Sequence, residues 1–208
     1  MASFSDAIEA MLDIGGAISF PINWLPEESG QTFLYGMPVQ VNGTDGGVQL
    51  WDGATLTAGI AGFAIQNAQN LGTTGAGAAG PFTPILGAGS NIGSYAANAN
   101  QSLAVITPPM VPMSIGLSGF AVAAPTTIFV AKIGTSVSVT PVATTNQQVG
   151  VAYGLTKDTG NNFWYVDVNK TGGSAAVRVV GLSQLEAVGT VGGHVFFTVL
   201  PAVAQIFS

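Results

Sequence analysis

Apolar and polar positions alternate with a period of two over short runs along most of this chain, and Gly, Pro, Asn and Asp punctuate the runs. That combination predicts β-strands joined by tight turns. Met37, Val39 and Val41 alternate, Asn42-Gly43-Thr44-Asp45-Gly46-Gly47 supplies a turn, and alternation resumes over residues 48–51. A Gly/Asn/Asp cluster between alternating runs predicts a hairpin. Residues 59–65 read as a further strand whose small side chains permit close backbone approach. Beyond residue 104 the prolines cut the chain into short strands, including 127–133 and 136–142. In the last third, residues 150–155 and 163–168 flank a polar turn cluster, and residues 176–180 alternate around Arg178. Residues 189–193 then turn the chain into a strand over 194–199, followed by an apolar tail over 201–207.

Two stretches depart from this pattern. Phe4, Ile8, Met11 and Leu12 stand at helical spacing, with Ser3 or Ser5 as N-cap and Gly15-Gly16 as the stop, so residues 2–14 predict one short amphipathic helix. Pro21 and Pro26 frame an extended connector through Ile22, Trp24 and Leu25. Residues 1–35 therefore read as an N-terminal arm and 36–208 as a β-rich domain. Within the latter, residues 68–104 are dominated by Gly, Ala, Asn, Ser and Thr and read as a long loop. The expected fold is all-β: a β-sandwich or β-barrel-like domain of about nine to eleven short strands, preceded by an extended arm with one short helix.

Composition sharpens the picture. Only 7% of the 208 residues are charged, against roughly 25% in an average soluble domain, and residues 53–131 carry no charged side chain. A surface so poor in charge favours association, so the chain reads as a subunit of an assembly. Pro108, Met110, Val111, Met113, Ile115 and Phe120, in the uncharged apolar stretch, are the expected oligomer contacts. Four Lys+Arg against ten Asp+Glu give a net charge of −6, which lacks the basic footprint of a nucleic-acid binder. The absence of cysteine removes disulfide frameworks, thiolate metal sites and cysteine nucleophiles. The first charges are Asp6, Glu9 and Asp13, so no secretory signal is expected, and Pro109, Pro112, Gly116 and Gly119 break the most apolar stretch as a membrane helix.

Candidate chemistry is scarce. His194 is the sole histidine, in Gly-Gly-His-Val-Phe-Phe, and reads as a strand residue rather than as a triad base or metal ligand. Asp45 and Asp52 stand in Asp-Gly turn contexts, where local hydrogen bonding accounts for them. Gly75-Ala76-Gly77-Ala78-Ala79-Gly80 matches a dinucleotide fingerprint letter for letter, but no buried strand precedes it and Pro81 opposes the helix that should follow. No enzyme activity, metal or cofactor is expected.

Three stretches carry a resemblance. They are Gly36-Met37-Pro38-Val39 with Gly59-Ile60-Ala61-Gly62-Phe63-Ala64; Gly154-Leu155 with Phe163-Trp164-Tyr165-Val166-Asp167; and Val177-Arg178-Val179-Val180-Gly181-Leu182 with Val191-Gly192-Gly193-His194-Val195-Phe196-Phe197 and Leu200-Pro201. Together they resemble the structural proteins of tailed-phage heads, most nearly the capsid decoration (cement) proteins, over residues 36–65 and 150–201. The resemblance implies a β-rich homo-oligomer, commonly a trimer, made in the bacterial cytoplasm. It would bind the outside of the head and bridge major capsid protein subunits. The arm would then contact the capsid through Phe4, Ile8, Leu12, Phe20, Trp24 and Leu25. Two other readings fit the same features. A tail tube or other tail subunit predicts ring-forming hexamers, and a glycan-binding head fibre or adhesin would use Trp51, Trp164 and Tyr153.

Overall fold

The computed structural model describes residues 7–13, 21–28, 31–44, 46–53, 59–68, 117–137 and 139–205. Among them the chain forms twelve strands: β1 (Glu9–Asp13), β2 (Ile22–Pro26), β3 (Pro38–Val41), β4 (Val48–Leu50), β5 (Gly62–Ala64), β6 (Leu117–Val122), β7 (Thr127–Thr135), β8 (Thr140–Pro141), β9 (Ala152–Asp158), β10 (Phe163–Asp167), β11 (Val177–Leu182) and β12 (His194–Val199). The helical residues described are single 3₁₀ turns at Asn146–Gln148 and Gly172–Ser174. The protein is all-β, as its alternation predicts.

The larger sheet is organised by β7. Thr127, Phe129, Ala131 and Ile133 are buried along it while Ile128, Val130 and Lys132 are half-buried, a period of two that matches the strand repeat. Its first half pairs antiparallel with β1 and with β12, and its second half pairs parallel with β10 and antiparallel with β8. Because β10 continues to β9, β9 to β11 and β11 to β12, the pairings return to β7 and close into a five-stranded ring. Closure removes the free edges that an open sheet would present. Phe129, Ile133, Leu155, Val177, Val195 and Phe197, contributed by four of the ring strands, are each buried to within 1% exposure.

The smaller sheet runs β2-β6-β5-β3-β4, all antiparallel. A β-carbon at Gly62 would lie 2.1 Å from the Ala121 carbonyl oxygen, so β5 approaches β6 at a distance only glycine allows. Phe63 of β5 ties this sheet to the ring: its ring centroid lies 4.5 Å from Phe129 and 5.8 Å from Phe197, which are themselves 5.7 Å apart. Trp51 and Trp164 meet 5.5 Å apart as a second aromatic tie. The tail adds a third, since Ile60 N–H donates to Val203 O at 2.7 Å and Gln205 N–H to Ile60 O at 3.0 Å. One continuous apolar core results, in which each buried Phe contributes about 1.5–3 kcal/mol by area.

Three expectations are corrected here. Residues 9–13 form a strand, not part of a helix over 2–14. Ile8 and Ala10 pack against the core while Glu9 and Met11 are exposed, so this short run also satisfies a period of two. A helix of so few residues is marginal alone, whereas β7 offers a ladder of hydrogen bonds. Ile8, expected in a capsid contact, is 2% exposed and belongs to the core. Phe120, expected in an oligomer contact, is 0% exposed because β6 lies between β2 and β5, inside the smaller sheet.

Candidate functional site

Among the described residues, a groove on the outer face of the ring draws together distant parts of the chain. It is built by register. Glu9 of β1 stands opposite Val130 of β7, Val130 opposite Phe196 of β12, and Phe196 opposite Gly181 of β11. Residues directly opposite in a ladder share a face, so these four make one cross-strand row. Met11, next to a register shift in β1, stands beside the row on the same groove wall. The row ends at Gly181, beside a register shift in β11, where a β-carbon would come within 3.5 Å of Phe196. Its far wall is formed by Leu182 and the turn that follows it, including Leu185 and Glu186. The groove measures about 710 Å³, and Leu185 is 97% exposed on its rim.

The turn is held in place by polar contacts. Leu185 N–H donates to Ser183 Oγ at 3.3 Å and Ser183 N–H to His194 O at 3.0 Å. The Glu186 carboxylate grips His194 twice, accepting from its backbone N–H at 2.6 Å through Oε2 and from ring Nδ1–H at 2.8 Å through Oε1. A carboxylate can only accept, which places a proton on Nδ1. Burial pushes the Glu186 carboxyl up, but the two hydrogen bonds from His194 and the charges of His194 and Lys132 outweigh it and hold the group below its ordinary value. Ser183, His194 and Glu186 share the groove, with the Ser183 hydroxyl accepting from Leu185 N–H and the imidazole Nδ1 facing Glu186.

Other titratable groups serve the fold. Asp167 is 0% exposed and accepts from Ser136 N–H and Asn169 N–H at 3.0 Å each and from the Thr156 hydroxyl at 2.7 Å. It thereby clamps the end of β7, β9 and the turn after β10. Asp158 closes the β9–β10 turn, accepting from Gly160 N–H at 2.9 Å and from the Asn161 amide at 3.0 Å. Tyr165, fully buried between them in sequence, is pushed up to about 12 by burial first and then by the charges of Asp167 and Asp158. Among the described residues, no group of three or more His, Asp and Glu side chains is placed to hold a metal ion.

Of the residues expected at interfaces, Trp24 is 44% exposed on β2, opposite Gly119, and Leu25 is half-buried. Leu12 lies on the β1 backbone, opposite Ile128. Phe4, Phe20, Pro108, Met110, Val111, Met113 and Ile115 lie outside the described residues, as does Asp45. The aromatics assigned to a glycan surface are enclosed: Trp51, Trp164 and Tyr153 are all buried, which suits core anchoring. Sequence reasoning missed Leu185 and Glu186. Their one local signal is a leucine set in the polar run Ser183-Gln184-Leu185-Glu186, where a turn needs no large apolar side chain. Comparison with protein-family models, curated proteins and solved structures finds no match to this chain.

Proposed function

We propose that the chain is a structural subunit of a virus particle, a capsid decoration protein that binds the outside of a tailed-phage head and bridges major capsid subunits. The observation that carries the reading is the exposed apolar groove on a chain of which only 7% is charged. Apolar surface that is rimmed by polar groups and left open to water marks a protein-binding site. The all-β framework supports the same role: a ring whose strands pair around a closed path, tied to a second sheet by aromatic packing, is a rigid body suited to bearing load between neighbours. A homo-oligomer, a trimer in this reading, would multiply a modest single-site affinity through effective concentration.

The test compares heads of the encoding phage with and without the chain for loss of packaged DNA on heating and on treatment with a chelator. Complete heads are expected to outlast depleted ones, and adding the purified chain back is expected to restore the difference. Depleted heads that survive equally well overturn the proposal. Light scattering on the purified chain supplies the oligomer number, with three chain masses expected. A mass of six chains or open tubes moves the assignment to a tail subunit.

A further inference from the structure

We infer that the groove on the outer face of the ring is a docking site for a segment of a partner protein that carries bulky apolar side chains next to lysine or arginine. The inference rests on the reading of the chain as a protein-binding subunit and names the chemistry of what it binds. Met11, Val130, Phe196 and Leu185 give the groove an apolar lining, and its volume of about 710 Å³ falls within the ~300–1,000 Å³ range of sites that enclose a compact ligand. Leu185 stands 97% exposed at the rim, an apolar side chain with no packing duty within the fold.

Charge selects the occupant. The β1 wall presents exposed Glu9 and belongs to a stretch, residues 1–131, that holds no lysine or arginine. Across the groove stands Glu186, engaged by His194, and Lys132 of the central strand β7 pairs with His194 in register. Among the described residues, the groove lining thus holds two carboxylates, Glu9 and Glu186, and no lysine or arginine, so a cation placed beside the apolar anchor meets an opposite charge there. A second copy of this chain offers few such cations: of its four basic residues, Lys170 donates to Leu155 O at 3.0 Å, Arg178 donates to Gly150 O at 2.8 Å and Lys132 lies beside Glu186, which leaves Lys157.

The test uses the full chain and two fluorescein-labelled peptides that share one Leu/Phe core, one flanked by lysines and the other by glutamates. Binding is followed by fluorescence anisotropy at low salt. The lysine-flanked peptide is expected to bind about tenfold more tightly than its counterpart, a difference of about 1.4 kcal/mol by the affinity scale. Glu9→Lys is expected to erase or invert that preference, and Leu185→Asp to weaken both peptides by about tenfold or more. Leu185 and Glu9 are exposed, so both variants are expected to keep the wild-type melting curve, which is measured alongside. Equal binding of the two peptides, binding of neither, or undiminished binding by Leu185→Asp overturns the inference. Self-association that Leu185→Asp abolishes, without peptide binding, assigns the groove to a second copy and overturns it as well. Binding to phage heads separates the two levels. If the wild-type chain does not bind heads, the proposed function fails. If the wild type and both variants bind heads equally, only the groove assignment fails.

Discussion

The buried carboxylate of Asp167 offers the most direct test of how the ring is held closed. The parallel contact between β7 and β10 consists of two residue pairs, Val166 with Ile133 and Asp167 with Gly134, so its backbone ladder is short. Asp167 supplements it with three side-chain hydrogen bonds, from Ser136 N–H, Asn169 N–H and Thr156 Oγ. Asp167→Ala strips the acceptor from all three donors at once. A buried donor left unsatisfied costs about 1–3 kcal/mol. Ser136 and Asn169 belong to exposed residues whose N–H groups can partly turn to water, so the low end applies to each and the total is about 2–4 kcal/mol. Asp167→Asn keeps Oδ1 for the two backbone N–H groups and presents an amide to the Thr156 hydroxyl, which can rotate to accept. Loss of the charge-assisted component is then the main effect, about 0.5–1.5 kcal/mol. Urea unfolding followed by tryptophan fluorescence reads both variants. With a slope of about 2 kcal/mol per molar, Asp167→Ala lowers the midpoint by about 1–2 M at unchanged slope. Amide exchange at Val168, whose N–H donates to Gly134 O at 2.9 Å, is expected to accelerate more in that variant than exchange within β3 and β4. If Asp167→Asn costs as much as Asp167→Ala, the charge and not the acceptor geometry is responsible. A cost of Asp167→Ala below about 0.5 kcal/mol, the scale of ordinary surface substitutions, refutes the clamp.

The other predictions address the junction, the smaller sheet and the groove rim. Phe63→Ala removes the ring that packs on Phe129 and Phe197, and is expected to cost about 3–5 kcal/mol in the same urea assay, because the two sheets cannot both relax into the cavity. Gly62→Ala would set a methyl 2.1 Å from the Ala121 carbonyl oxygen. It should destabilise by about 1–3 kcal/mol or more, whereas Gly43→Ala, with open space around it, should leave the midpoint nearly unchanged. Glu186 has a folded-state pKa held below its ordinary value, so its contribution is present above the ordinary carboxylate range and lost as pH falls through the folded value. Glu186→Gln should therefore cost about 0.5–1.5 kcal/mol at neutral pH. The gap to wild type should close on acidification, as measured by thermal melts across pH.

The local elements follow from neighbouring residues. Strand periodicity and turn chemistry are written there, which is why the hairpin of β3 and β4, the hairpin of β9 and β10, and strand β12 were legible from the alternation and from the Gly, Asn and Asp clusters. The all-β class follows from the same signals. Other features depend on partners far away in the chain. The run around Ile8 and Met11 fits a helical and a strand period equally, and the ladder offered by β7 made it a strand. Phe120 belongs to an apolar stretch whose composition suits a core or an interface alike, and its place between two neighbouring strands buried it. Asp167 carries no sequence mark of its partners, since Ser136 and Thr156 reach it only when the ring closes. The groove has the same origin. Glu9, Val130, Gly181 and Phe196 are separated along the chain and become neighbours through the register of four strands, and register is a long-range property that local patterns constrain but do not specify.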